Sequence, residues 1–282
     1  MNKKTIVMTG ATSGFGIDWF KSVSQDDNTS VFILARDELK FNQLLLTIPM
    51  ITRTNIQFVY CELSSLSSIV NAIKHVKTMV ASVDVLINNA GIFPNDNPCF
   101  NDDDIELTFV VNHLAPLLIT LLLKDKLILS DSPKVINTSS FQHFNAKLTL
   151  DDMSFKRSKF NAMLAYRNSK LCITLSTLYS EHFISPNITV CCFDPGIVDT
   201  NMTKDAIPTF LNWAYPTIRR FFRDGVKGAQ TGIHLTNIQN DRIVPGSYYR
   251  DMVIKEPSKD AQSLLIAERL HKVSMALLEP YL

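Results

Sequence analysis

Cysteine is sparse and unpatterned in this 282-residue chain. The five present, Cys61, Cys99, Cys172, Cys191 and Cys192, are odd in number and show no C-x-x-C spacing. That argues against a disulfide framework or a zinc site and fits a reducing compartment. Net charge is almost absent as well: 28 lysines and arginines against 27 acidic residues leave +1. The chain therefore has no general attraction for nucleic acid or for an anionic membrane, and any anion must be met by local groups. Long hydrophobic runs are missing. The longest, residues 114–123, contains Pro116 and reaches about half of the ~20 residues a bilayer requires, so it reads as buried helix and no transmembrane segment is expected. The opening Met1-Asn2-Lys3-Lys4 has no apolar core ahead of the first strand, so no cleavable targeting segment is expected and a cytoplasmic location is. No metal site, repeat or linker stands out. What is present is ordinary for a globular protein, 46% hydrophobic and 20% charged. One domain spanning residues 1–282 is the simplest count.

The most informative stretch is Thr5-Ile6-Val7-Met8-Thr9-Gly10-Ala11-Thr12-Ser13-Gly14-Phe15-Gly16. A short apolar run, a cluster of glycines and the start of an amphipathic segment read as strand, tight turn and helix. Glycine reaches backbone angles closed to other residues and lets a diphosphate approach the main chain, while a helix N-terminus directs free N–H groups at an anion. The spacing G-x-x-x-G-x-G is not the G-x-G-x-x-G fingerprint and lacks the Gly-Lys-Ser/Thr of a P-loop, which disfavours a kinase or GTPase. A turn whose glycines only relieve strain is the alternative.

Residues 30–35 form a second apolar strand ending at Arg36-Asp37, followed by helical spacing over 38–47 that Pro49 stops. In such a βαβ unit the residue at the second strand's tip meets an adenosine ribose: an acid binds the 2′-hydroxyl and an arginine a 2′-phosphate. Arg36 in that place favours NADP(H) over NAD(H). A solvated arginine is the other reading, and Asp37 would restore some NAD(H) binding if it faced the ribose. Further strands are expected over 56–61, 83–87, 134–138 and 188–193, and helices from Ser64 through Val76, over 102–123, over 164–181, over 225–237 and over 261–278. Alternating strands and helices indicate an α/β protein with a doubly wound, mostly parallel sheet and helices on both faces. Asn88-Asn89-Ala90-Gly91, Ser139-Ser140 and Asp194-Pro195-Gly196 all fall at carboxyl ends of strands, where doubly wound sheets bind ligands.

Tyr166 and Lys170 stand four apart on one helix and so share a face. An ammonium about 4 Å from the phenol oxygen, at an effective dielectric near 20, would favour phenolate by about 4 kcal/mol, about three pK units, bringing the phenol toward neutrality. It could then exchange a proton with an alcohol or alkoxide. Asn112, between apolar neighbours in Val110-Val111-Asn112-His113, must find partners or cost about 1–3 kcal/mol.

The order Gly10/Gly14/Gly16, Asn88-Asn89-Ala90-Gly91, Asn112, Ser140, Tyr166/Lys170 and Pro195-Gly196-x-x-x-Thr200 resembles the short-chain dehydrogenase/reductase family over nearly the whole chain. Val111-Asn112-His113-Leu114, the extended segment between Ser140 and Tyr166, Gly228-Ala229-Gln230-Thr231 and Gly246-Ser247-Tyr248-Tyr249 look like its retinol-dehydrogenase and WW-domain-oxidoreductase branch. The resemblance implies a single-domain Rossmann fold, a small apolar carbonyl or alcohol substrate, and hydride chemistry supplied by the nicotinamide. It implies that Tyr166 is the general acid/base, that Lys170 lowers its pKa and binds the nicotinamide ribose, that Ser140 holds the substrate oxygen, and that Asn112 binds a water linking Lys170 to solvent. Cofactor contacts would come from Gly10, Thr12, Ser13, Gly14, Phe15 and Gly16, from Arg36, Glu62 and Leu63, from Asn89, Ala90 and Gly91, and from Pro195, Gly196, Val198 and Thr200 beside Tyr166 and Lys170. Glu62, Ala115 and Asp194 depart from the family's usual aspartate, glycine and histidine. His113 and His143 read as structural, and residues 151–159 as a solvated loop.

The segment 201–225 carries Ile207, Phe210, Leu211, Trp213, Tyr215, Phe221 and Phe222, broken by Pro208 and Pro216. It suits a lid over an apolar substrate; a packed helix pair and a peripheral membrane contact are the alternatives. A homodimer or homotetramer is left open. The rival functions are a methyltransferase, which would want an acid where Arg36 stands and would leave Tyr166 and Lys170 idle, and an NADP(H)-binding sensor or scaffold without turnover.

Overall fold

A computed structural model describes residues 3–200, 203–204 and 219–282. Eight strands, β1 (Lys4–Thr9), β2 (Thr29–Ala35), β3 (Ile56–Tyr60), β4 (Val85–Asn88), β5 (Lys134–Thr138), β6 (Thr189–Asp194), β7 (Ser247–Arg250) and β8 (Val253–Lys255), form one sheet in the order β3-β2-β1-β4-β5-β6-β7-β8. Every pairing is parallel except β7 with β8. Strand order reverses between β1 and β4, which opens a crevice above their carboxyl ends.

Side-chain alternation along the strands divides the apolar residues between two faces. Val7, Leu86 and Val135 belong to one core cluster, and Ile6, Met8, Val85, Ile87 and Ile136 to the other. The second cluster takes Trp19 and Phe20 of α1 (Gly16–Val23), Phe41 and Leu44 of α2 (Glu38–Leu45), and Ala229 and Leu235 from residues 225–237. The first takes Ile69, Ile73 and Val76 of α3 (Leu66–Met79), much of α4 (Leu107–Ile128), and Leu171, Cys172 and Leu175 of α5 (Ala162–Leu178). Helix α6 (Gly225–Asn237) closes the α1 side, and α7 (Leu264–Leu278) packs on α5 and buries Leu270 and Leu278 in the first cluster. Caps follow the expected chemistry: Asp37 accepts from Lys40 N–H, Ser65 from Ser68 N–H, Asn161 from Leu164 N–H and Asp224 from Lys227 N–H.

Helix α4 corrects the reading of residues 102–123. It starts at Leu107, after a turn held by Asn101, and runs on to Ile128 because Leu123 and Leu127 continue the buried stripe beneath Lys124, Asp125 and Lys126. At 22 residues it is long and apolar enough to cross a bilayer, but 78% of that window is buried inside the protein. Its turn at Val110–Leu114 is a π-helix, the kind of bulge that often marks a functional position. Most of the segment 201–225 lies outside the described residues.

Candidate active site

The first turn after β1 is built by close packing. Gly10 takes φ +71°, and a Cβ there would sit 2.6 Å from Ala90 N; one on Gly16 would collide with Gly10 O. Both glycines therefore let the β1 turn, the β4 end and α1 interlock, a packing role beside the backbone freedom and close diphosphate approach expected of them. Gly14, at φ +54°, faces Thr200, whose Cγ2 would lie 3.2 Å from an added Cβ. Phe15 turns its ring into the core beside Phe193, with centroids 6.5 Å apart, so any contact it makes with a ligand comes from its backbone. Thr9 Oγ1 accepts the N–H groups of Asn89 and Ala90, both at 3.1 Å, and Asn89 spans to Gly10 O at 2.9 Å and Thr138 Oγ1 at 3.1 Å. The Asn89 side chain is thus consumed in stitching β1, β4 and β5 together, leaving Ala90 and Gly91 to border the crevice.

That crevice is an open cleft bordered by Gly10, Thr12 and Ser13 in the middle, Ala90, Gly91 and Ile92 on one side and Arg36, Glu62 and Leu63 at the far end. Arg36 is mostly exposed, its side chain 74% accessible, and pairs with Glu62 at 3.2 Å. Burial alone would raise Glu62, but hydrogen bonds from Ser64 and Arg36 hold its carboxyl below the usual range. Asp37 borders the cleft as well, but its carboxylate is engaged: Oδ1 caps α2 by accepting Lys40 N–H at 2.9 Å, and Oδ2 faces Lys40 Nζ at 3.6 Å. Lys40 borders the same cleft and was not singled out from sequence; its place in the first turn of a helix that begins beside Arg36 is the signal that would have found it.

At the other end, β5 stops at Ser139-Ser140. Ser139 turns into α5, its hydroxyl 2.6 Å from Thr174 Oγ1. Ser140 instead accepts Gln142 N–H at 3.2 Å, and its hydroxyl is near enough to the Tyr166 hydroxyl to lower its pKa. His143 pins this turn: its Nδ1 lies 2.7 Å from Ser140 O, and Ser258 N–H donates to Nε2 at 3.0 Å. These two contacts fix a neutral ring with the proton on Nδ1. Lys170 is buried and donates to Thr138 O at 3.0 Å, its Nζ 5.7 Å from the Tyr166 ring centroid.

The electrostatics correct the simple pair calculation. Tyr166 keeps part of its surface accessible, yet burial pushes its phenol up to about 12; the nearby Ser140 hydroxyl opposes this and the Asp194 carboxylate adds to it. Burial pushes the Lys170 amine down to about 8, against Asp194 and Cys192, which favour its charge. Desolvation dominates at both groups, and the lysine proton points to a carbonyl instead of the phenol oxygen. The phenol is therefore held protonated.

Asn112 sits in the π-turn with every side-chain atom engaged: Nδ2 donates to Ile92 O and Ser169 Oγ, both at 2.9 Å, and Oδ1 accepts Ile92 N–H at 2.8 Å. Its amide ties α4 to α5 and to the β4 end, and Oδ1, which accepts a single N–H, keeps a second acceptor site for the water that the resemblance implies. A Cβ on Gly91 would lie 3.2 Å from Asn112 Oδ1 and 3.5 Å from Lys170 Nζ, so this glycine keeps the space before the lysine open. Phe93 stands beside Tyr166, ring centroids 5.3 Å apart, and was also missed; only its position just past Gly91 could have suggested it. Beyond β6, Gly196 takes φ +79° with Arg223 packed against it, and Val198 bridges to Arg223 in parallel. Pro195, Gly196, Val198 and Thr200 thus form the rim opposite Gly14. Among the described residues, no group of three or more histidine, cysteine or acidic side chains could hold a metal.

A model of the short chain dehydrogenase family matches residues 4–209. Human retinol dehydrogenase 13 is 29% identical over 97% of this chain and 84% of its own, and the chicken (Gallus gallus) WW domain-containing oxidoreductase 28% identical over 100% of this chain and 70% of its own. A crystal structure of a putative uncharacterized protein from Mycobacterium paratuberculosis superposes with a TM-score of 0.77 at 24% identity, over 98% of this chain and 93% of that one. NADPH-bound carbonyl reductase from chicken fatty liver gives 0.62 at 22% identity, over 88% and 96%.

Proposed function

The chain belongs to the short chain dehydrogenase family, and we propose that it is an NADP(H)-dependent oxidoreductase interconverting a carbonyl and an alcohol on a mainly apolar small molecule, of the retinoid, steroid or lipid aldehyde and ketone class. The observation that carries this reading is the grouping of Ser140, Tyr166 and Lys170 just beyond Gly91, which borders a cleft whose far end holds the Arg36–Glu62 and Lys40–Asp37 pairs. The cleft fits a dinucleotide: Thr12 and Ser13 border its waist beside the α1 N-terminus, Gly91 leaves the space before Lys170 open, and Arg36 and Lys40 flank its far end. When bound, the nicotinamide supplies or accepts the hydride.

The protein's residues do the rest. Ser140 Oγ holds the substrate oxygen within reach of Tyr166, whose protonated phenol donates as negative charge develops on that oxygen. Lys170, anchored on Thr138 O, keeps a positive charge beside the ring and stabilises the phenolate left behind. A phenol pushed up to about 12 is protonated in the free protein, the state from which reduction starts. Phe93 adds an apolar wall next to the reacting oxygen, in keeping with relatives one of which is named for retinol. Preference for NADP(H) rests on two cations at the adenosine end and on Asp37 being spent as a cap.

The test is an NADPH-oxidation screen across aldehydes and ketones of increasing chain length. Turnover that improves with apolar length supports the reading. Tight NADPH binding with no turnover across the panel would turn it into a sensor or scaffold, and failure to bind either nicotinamide nucleotide would remove it.

A further inference from the structure

Asp194 closes β6 with a carboxylate that is 0% accessible. Its Oδ1 accepts Gly196 N–H at 2.9 Å and so shapes the left-handed turn at that glycine. Its Oδ2 is buried without a hydrogen-bond partner and faces Arg250 Nε at 3.6 Å. From there the charges alternate: Arg250 lies 3.8 Å from Asp251, Asp251 pairs with Arg223 at 2.6 Å, and Arg223 donates to Pro195 O at 3.4 Å. The Arg223 backbone also donates to Ile197 O at 2.7 Å and accepts Asp199 N–H at 2.9 Å. The turn that rims the site is thus gripped from both sides by one network.

Holding that turn does not require a charge, because a neutral amide in place of Asp194 would still accept the Gly196 N–H. A buried carboxylate is costly unless nearby groups use it. In the β5–β6 register Thr138, whose carbonyl takes the Lys170 ammonium, stands opposite Phe193, the residue before Asp194, which brings the end of Lys170 next to the end of β6. Tyr166 on α5, Tyr248 and Arg250 on β7, Cys192 on its own strand, His143 after β5, and Arg223 and Asp251 at the rim are the other groups within its electrostatic reach. Its negative charge favours the Lys170 ammonium and the His143 and Arg223 cations, and disfavours the phenolates of Tyr166 and Tyr248.

We propose that Asp194 is a positioning residue for the Tyr166–Lys170 pair: with Arg250 it fixes the Pro195–Gly196 turn, and it supplies the buried negative charge that balances the Lys170 ammonium. The catalytic meaning of that pair rests on the oxidoreductase reading above, but the charge balance does not. The experiment is therefore a titration that needs no turnover. In protein labelled with ¹⁵N-lysine, the Lys170 Nζ resonance is identified by its loss in Lys170→Arg and followed with pH in wild type, Asp194→Asn and Arg250→Gln.

Asp194→Asn keeps an acceptor for Gly196 N–H and removes the charge, so the Lys170 midpoint is expected to fall by about one pH unit. Arg250→Gln removes the opposing cation and is expected to move it upward, and the double variant to return it near wild type. A folded Asp194→Asn with an unchanged midpoint, or two single variants shifting in the same direction, overturns the proposal. Should Asp194→Asn not fold, the Arg250→Gln titration decides alone: a rise supports the proposal and no change overturns it. NADPH titration of the wild type runs separately, and absence of binding would remove the oxidoreductase reading while leaving the Lys170 titration to judge Asp194.

Discussion

Arg36→Ala tests how the cleft reads its nucleotide. In the free protein the guanidinium is 3.2 Å from Glu62 on a largely exposed side chain, and such a surface pair is worth about 0–1 kcal/mol. A charge-assisted hydrogen bond to a phosphate is worth about 1.5–3 kcal/mol. The exchange of Glu62 for a 2′-phosphate is therefore favourable, and deleting Arg36 should weaken NADPH by about 10- to 150-fold while Lys40 retains part of the attraction. NADH, which has only a 2′-hydroxyl at this place, should change by less than about threefold. The converse variant, Glu62→Gln, frees Arg36 from its competitor and should tighten NADPH by up to about fivefold. Calorimetric titration of both nucleotides at fixed ionic strength measures all three changes, and the Arg36 contribution should shrink as salt is raised. Equal losses for NADPH and NADH in Arg36→Ala would refute the assignment, because they would show that Arg36 supports the cleft without sensing the phosphate.

Gly16→Ala forces a Cβ into Gly10 O and should cost about 3 kcal/mol, lowering the melting temperature by roughly 5–10 °C in a calorimetric scan; an unchanged melting point would mean the turn can relax. Buried His113, which stacks on Phe109 and bonds Ser274 at 2.8 Å, is pushed down to about 3 by burial. Its folded form stays neutral where the unfolded chain takes up a proton, so its contribution is complete above about pH 6.5 and is lost toward pH 3, at up to about 1.4 kcal/mol per pH unit. Urea midpoints at pH 4.5 and 7 should differ less in His113→Gln than in wild type. Phe93→Ala removes the apolar wall beside Tyr166 and should raise KM for a long-chain aldehyde about tenfold, ~1.4 kcal/mol, with kcat nearly unchanged; a fall in kcat alone would assign Phe93 to orienting Tyr166.

Local signals and their limits explain what could be read from the sequence. The parallel β1 to β6 core, and the placing of glycine, amide and serine motifs at strand ends, follow from apolar runs flanked by turn residues, which are properties of neighbouring positions. The β7–β8 hairpin went unread because its turn uses Asp251 and Met252 at φ +53° and +63° with no glycine, and because its strands are only four and three residues long. The length of α4 was hidden by Lys124, Asp125 and Lys126, which look like a helix end until Leu127 is seen to be buried. At the site, residue identity and order pointed to Ser140, Tyr166 and Lys170, but the electrostatics did not follow from their spacing. Desolvation depends on everything packed around α5, so the direction of the Tyr166 shift was out of reach, as were the Arg36–Glu62 pair and the Asp194–Arg250 network, whose members lie 26 and 56 positions apart.

The most direct test of the account follows deuterium. Wild type and Tyr166→Phe are each loaded with NADPH deuterated at the nicotinamide C4 and mixed with an apolar aldehyde, and the product alcohol is analysed by mass spectrometry. Wild type is expected to deliver the label to the carbinol carbon, and Tyr166→Phe to bind the nucleotide with similar affinity but to transfer at least about a thousandfold more slowly. Undiminished transfer by Tyr166→Phe, or a wild-type protein that binds neither NADPH nor NADH, would contradict it.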